Sequence, residues 1–200
     1  MTQRILSLLF ALIGWFSVIT QYYLMVKNTQ ISFGETTIRF FSFFTILTNI
    51  LVAVYFTFQT VNYPSKIKKP GILTAITIYI LIVGSIYQII LRSTWNPTGL
   101  QRIVDELLHT IIPVLVLMYW YMYENKRDLS YQQIPQWAVY PLLYLFYILI
   151  RGHFSEFYPY PFVNVLDLGY TQVLINSFWI LVLFIGISML FVRIGKAMSK

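Results

Sequence analysis

The chain has 200 residues, of which 58% are hydrophobic and 10% charged, with a net charge of +7 and a mean hydropathy of +0.69. Soluble domains carry about a quarter charged residues, so this composition excludes an ordinary water-soluble domain and indicates helices buried in lipid. Cysteine is absent, which excludes disulfides, thiol catalysis and thiolate metal sites, and the Lys and Arg residues form no stripe that would fit nucleic acid.

Six apolar runs follow in order. The first covers about residues 5–26 and lacks a small-residue cleavage site, so it reads as a retained span rather than a signal peptide. The second covers about 37–61 and carries Ser42, Thr45, Thr48 and Asn49 inside an otherwise apolar stretch. A turn-rich basic loop with Lys66, Lys68 and Lys69 leads to a third run over 72–91. Next comes a loop in which Trp95 suits the headgroup level, then a fourth run over 103–123 containing Pro113. The fifth, over 137–150, is the shortest and holds Pro141, with Pro135 closing the connection before it. Two prolines in Tyr158-Pro-Tyr-Pro-Phe162 disfavour helix in the next connection, and the sixth run covers 169–192 before a basic tail.

About 20 apolar residues cross a bilayer, so these runs predict an all-α integral membrane bundle of six transmembrane helices forming a single domain over 1–200. Six spans put both termini on one side. That side would hold Arg4, Lys66, Lys68, Lys69, Lys126, Arg127, Arg193, Lys196 and Lys200, against Lys27, Arg39, Arg92, Arg102 and Arg151 opposite. The positive-inside rule then makes both termini cytoplasmic. The expected location is a cell membrane with multiple passes, and membrane lipids are the expected surroundings. Arg39, Arg92 and Arg151 fall at outer helix ends and read most simply as side chains snorkelling to phosphates.

The second and fourth spans run in the same direction. Thr45 lies about eight residues into one and His109 about six into the other, which at ~1.5 Å per residue sets both roughly 9–12 Å below one boundary. On the second helix Ser42, Thr45 and Asn49 share a face, with Thr48 at its edge; on the fourth, Asp105, His109 and Pro113 share a face. This pattern fits a hydroxyl nucleophile, a histidine base and a third group, Asp105, that orients the base. Asn49, Ser42 or a tyrosine would serve as an oxyanion donor. A membrane-buried threonine more often bonds its own i−4 carbonyl, whereas an intramembrane histidine is a functional candidate by default. His153, beside Arg151, reads as a headgroup-facing loop residue, and Tyr140, Tyr144 and Tyr147 as packing. Two histidines on separate segments make no metal site, and there is no nucleotide loop or G-x-S-x-G motif. No cofactor is expected.

Three patches, Arg39-Phe-Phe-Ser-Phe-Phe-Thr-Ile-Leu-Thr-Asn49, Leu108-His-Thr-Ile-Ile-Pro113 and Tyr158-Pro-Tyr-Pro-Phe162, resemble the bacterial six-helix relatives of the androgen-induced membrane protein family. Animal members are multipass threonine hydrolases that cleave fatty acid esters of hydroxy fatty acids with an intramembrane Thr and His. The resemblance implies that Thr45, after Phe43-Phe44, is the nucleophile, with Thr48 as the alternative. It implies that His109, before Thr110 and Pro113, is the base, although the proline stands one residue nearer than in the family. It also implies a lipid or fatty-acyl ester substrate and a bacterial plasma membrane. The expected activity is therefore intramembrane ester hydrolysis through Thr45 and His109. The alternative is a non-enzymatic lipid-binding or transport protein in which Asp105 and His109 form a proton or headgroup site.

Overall fold

The computed structural model describes residues 1–61, 69–94 and 96–199, and within them every regular element is helical. Lys66, Lys68, Trp95 and Lys200 lie outside the described residues, as does most of the basic loop before the third span. The chain forms two compact units, Met1–Asn125 and Lys126–Lys200.

The first unit contains α1 (Thr2–Asn28), α2 (Phe33–Phe40), α3 (Phe44–Thr60), α4 (Ile72–Ile86), α5 (Gly99–Glu106) and α6 (Ile112–Tyr123). A π-turn over Tyr87–Leu91 extends α4, and a second π-turn over Leu107–Ile111 joins α5 to α6. Helices α1 and α3 approach closely where Gly14 meets Ala53; a Cβ on Gly14 would stand 3.0 Å from the Ala53 Cβ. Small residues at such a crossing let two apolar helices pack backbone to backbone. Around it, Phe10, Phe56 and Tyr119 interlock edge to face or tilted, with Phe56 and Tyr119 fully buried. Trp15 Nε1 donates to Thr57 Oγ1 across the same pair of helices (3.0 Å). Farther along, Val18, Leu24, Phe40, Ile46, Val104 and Leu108 form a core shared by α1, α2, α3 and the α5–α6 junction.

The second span is not one helix. Residues 37–61 were expected to run straight through, but α2 and α3 meet at a bend of 72° across residues 41–43. The cause is local. Ser42 turns its Oγ onto the Ile38 carbonyl (2.7 Å) and its N–H onto Arg39 O (3.0 Å), a tighter pattern than the α-helix allows. Phe43 is then extended, at φ −82° and ψ 124°, and α3 restarts at Phe44. Helix α2 has its own start signal, Ser32 accepting from the Glu35 N–H (3.3 Å), and a Glu35–Arg39 pair one turn apart (2.7 Å).

The second unit contains α7 (Ile134–Ser155) and α8 (Val165–Met198), entered through short 3₁₀ turns. Helix α7 is longer than residues 137–150 suggest. Pro135 sits in its first turn, where a missing N–H costs nothing, so it opens the helix instead of closing a loop. Helix α8 begins before residue 169 and is broken at Gly169, whose φ of 71° only glycine adopts easily. Gly152 is required by Tyr158: a Cβ there would lie 2.1 Å from the tyrosine ring. Tyr160 and Phe162 stack 5° from parallel, and the Phe162 carbonyl accepts from Asn176 of α8 (3.0 Å). Tyr144 and Tyr147 are ring neighbours at 6.4 Å, and His153 is exposed with its Nδ1 3.2 Å from the Tyr170 hydroxyl.

Among the described residues, five helical stretches are long and apolar enough to cross a membrane, and six if the bent α2–α3 pair counts as one span.

Candidate active site

The site begins with a proline. Pro113 has no N–H, so in an α-helix the His109 carbonyl would lack its i+4 donor. The chain takes a π-turn there, with the Ile112 N–H bonded to Leu107 O, five residues back. In that register the N–H of residue 113 would serve Leu108, and proline supplies none. The Leu108 carbonyl instead accepts from Asn49 Nδ2 of α3 (3.4 Å), which also donates to Thr45 O (2.8 Å). One amide therefore ties the turn carrying Thr45 to the turn carrying His109. These two carbonyls also fix which end of the amide is nitrogen. Asn49 Oδ1 is left buried without a hydrogen-bond partner.

Thr45 is in the first turn of α3, because the break at 41–43 makes a new helix start beside it. Helix α3 has no side-chain cap, so its electropositive end lies at the threonine. Thr45 keeps 8% of its surface, whereas Thr48 and Asn49 keep none. Thr48 is about 100° round the helix from Asn49. Ser42 lies in the break rather than on the helical face with Thr45 and Asn49, and its hydroxyl is used on Ile38.

His109 Nδ1 lies 2.9 Å from the Asp105 carbonyl oxygen and 3.3 Å from Asp105 Oδ1. Both are acceptors, so Nδ1 carries the proton and Nε2 presents the lone pair. The other carboxylate oxygen of Asp105 accepts from the Tyr87 hydroxyl. The Tyr87 ring lies flat on the imidazole, with centroids 4.1 Å apart and 14° between planes. Asp105 and His109 are thus brought together as their i, i+4 spacing implied, and Tyr87 completes a cluster of three. Gly84 lets α4 come this close: a Cβ there would be 3.0 Å from the His109 carbonyl.

A polar circuit borders this cluster. Arg92 Nη2 pairs with Glu106 Oε1 (2.5 Å), Thr110 Oγ1 donates to Glu106 Oε2 (2.7 Å), Gln88 Nε2 donates to Thr110 (2.8 Å), and Arg92 Nη1 donates to Gln88 Oε1 (2.8 Å). Arg39 and Arg92 each pair with an acid of the chain, Glu35 and Glu106. Arg151 Nη1 donates to the Phe157 carbonyl in the second unit (3.3 Å).

Tyr87 and Glu106 were not picked out in the sequence. In the sequence Tyr87 shows only its place near the end of the third run, toward the boundary shared with His109. Stacking and the π-turns have no such signal. Among the described residues no three His, Asp or Glu side chains converge as a metal site. The chain matches no family model, no curated protein and no solved structure.

Chemically, the site combines an oriented imidazole with a basic Nε2, a carboxylate held from two sides, and a hydroxyl at the electropositive end of a helix. Those are the parts of acyl transfer by a nucleophile–base pair.

Proposed function

We propose that the protein is an integral membrane ester hydrolase with Thr45 as nucleophile and His109 as general base, acting on a fatty acid ester of a hydroxy fatty acid. The observation that supports this reading is the Asn49 amide, which bonds the Thr45 and Leu108 carbonyls and so ties the turn that bears Thr45 to the turn that bears His109. Its six apolar spans would place both termini in the cytoplasm of a bacterial cell.

In the reaction, Thr45 Oγ1 attacks the ester carbonyl while His109 Nε2 takes the hydroxyl proton. The negative charge on the tetrahedral oxygen is met by the N-terminal end of α3. Collapse breaks the bond to the alcohol oxygen, which takes the proton from His109 and leaves as the hydroxy fatty acid. Water then gives a proton to His109, attacks the acyl-threonine and releases the fatty acid with Thr45 restored. Asp105 keeps the Nδ1 proton in place throughout and stabilises the imidazolium. Thr45 is preferred to Thr48 because a nucleophile must be reached, and Thr48 is fully buried.

Labelling of the purified protein by a fluorophosphonate probe tests the assignment. The expected outcome is labelling and ester turnover that disappear in Thr45→Ala and His109→Ala. Activity that survives both substitutions overturns it.

A second reading, a lipid carrier without turnover, draws on the exposed Arg92–Glu106 pair beside His109, which suits a polar headgroup. It predicts that intact ester co-purifies with the protein, where hydrolysis predicts the two split acids.

A further inference from the structure

The first unit has a second polar recess at the end of the helices opposite Thr45 and His109. Gln59 at its wall is fourteen residues along α3 from Thr45, ~21 Å at helical rise. The cavity has a volume of about 410 Å³ and lies between the start of α1, the end of α3, the start of α4 and the end of α6. That volume is within the range of small-ligand sites, roughly 300–1,000 Å³.

Its wall is polar in a bundle that is otherwise apolar. Arg4 and Lys69 line it, and among the described residues the only acid lining it is Glu124. Glu124 is already engaged: Oε2 accepts both the N–H and the hydroxyl of Thr74 (2.8 Å each), and Oε1 accepts the Asn125 N–H (3.1 Å). The carboxylate therefore caps the first turn of α4 and pairs with neither cation. Arg4 is held in position by its Nε bond to the Thr60 carbonyl at the end of α3 (2.8 Å). Neutral donors complete the wall, with Gln59 Nε2 on the Tyr55 hydroxyl (2.9 Å) and the buried Tyr119 hydroxyl on Ser7 Oγ (2.8 Å). Two cations, one held in place, beside a polar floor whose acid is engaged by Thr74 and Asn125, suit an anion.

We propose that this recess binds a phosphate group, that of an acidic phospholipid headgroup at the membrane surface. The site uses none of the residues assigned to hydrolysis and stands or falls apart from it. Arg4 and Lys69 would hold the phosphate oxygens, and the Gln59 and Tyr55 pair would meet the glycerol end of the headgroup.

The test uses the full chain in nanodiscs of phosphatidylcholine with increasing phosphatidylglycerol, followed by native mass spectrometry of the retained lipid. Phosphatidylglycerol should be retained in preference to phosphatidylcholine. Retention should fall at least tenfold in Arg4→Gln/Lys69→Gln, and remain in Arg102→Gln, which removes a cation outside the recess. Lys69→Gln alone guards against misfolding, because the Lys69 backbone carbonyl that bonds Ile72 is untouched, and it should lower retention severalfold. Inorganic phosphate added to the same nanodiscs distinguishes the two sources of the group: retention that resists millimolar phosphate supports the lipid, and phosphate bound in place of lipid overturns the headgroup assignment. Equal retention by wild type and the double variant, or equal retention of the two lipids, overturns the site.

Discussion

Replacing Asn49 by leucine separates a positioning role from a structural one. The substitution keeps the volume but removes the bonds to Thr45 O and Leu108 O. Leu108 O then has no donor, since Pro113 offers none, and a buried orphan acceptor costs roughly 1–3 kcal/mol. The wild type already carries one such orphan, Asn49 Oδ1, which the substitution removes. The two orphan costs nearly cancel, leaving the net value of the lost bond, about 1 kcal/mol. For a chain of this length that corresponds to a fall of about 2–4 °C in the unfolding midpoint. Turnover should fall much further, about 100-fold, because the tie between the hydroxyl turn and the imidazole turn is gone and a misplacement of about 1 Å is that costly. Asn49→Asp should behave differently, since a carboxylate facing two buried carbonyls is disfavoured, and it should lower the midpoint well beyond Asn49→Leu. The assay is thermal unfolding in detergent by size-exclusion recovery, with ester turnover measured on the same preparations. A midpoint loss above about 10 °C with unchanged turnover of the folded fraction would refute the positioning role.

Four further outcomes are expected. Tyr87→Phe keeps the ring over His109 but removes the donor to Asp105, so the midpoint should fall by the cost of one buried unsatisfied acceptor, about 1–3 kcal/mol, and turnover should drop about tenfold; the double variant Tyr87→Phe/Asp105→Asn should lose less than the sum of the singles. Pro113→Ala supplies an N–H that competes with Asn49 for the Leu108 carbonyl, so the midpoint should rise while turnover falls, both read on one preparation. Gly152→Ala drives a Cβ into the Tyr158 ring and should destabilise the second unit by about 1–3 kcal/mol, and adding Tyr158→Ala should recover part of that loss in the same unfolding scan. Burial raises Tyr158 above the ordinary tyrosine value of 10.0, with Tyr170 contributing further; the unfolded chain then loses this proton first, so stability should decline as pH rises above about 10, and Tyr158→Phe should flatten that decline in unfolding scans against pH.

How much of this was legible in the sequence differs by feature. The apolar runs and the i, i+4 placement of Asp105 and His109 are periodicity, and periodicity is local. The break at 41–43 is not. Nothing in Phe-Phe-Ser-Phe-Phe forbids a helix, and Ser42 ends it by choosing the Ile38 carbonyl over solvation, a preference that depends on the surrounding core. The start of α7 was misplaced because Pro135 reads equally as a loop residue and as a first-turn residue. Tyr87 was passed over because tyrosine in an apolar run usually packs, and only the position of Asp105 shows that its hydroxyl has a buried acceptor. Likewise Glu106 and Arg92 stand on different helical segments, and their pairing depends on how the segments pack.

The irregularities themselves explain why the polar residues gather at one level. A regular α-helix uses its own carbonyls and N–H groups and offers a neighbour only side chains. Near His109 three regularities fail: α3 starts anew beside Thr45, α4 ends in a π-turn at Tyr87, and the α5–α6 junction is a π-turn forced by Pro113. The first failure exposes an uncapped, electropositive helix end inside an apolar bundle. The third releases a carbonyl, and Asn49 uses it. Each defect costs stability where it occurs. A protein selected for packing alone would lose the π-turn defect by Ala at 113, which returns a donor to the Leu108 carbonyl. Their coincidence at one depth, on three separate helices, is the reason to read the level of His109 as a site rather than as a weak place in the bundle.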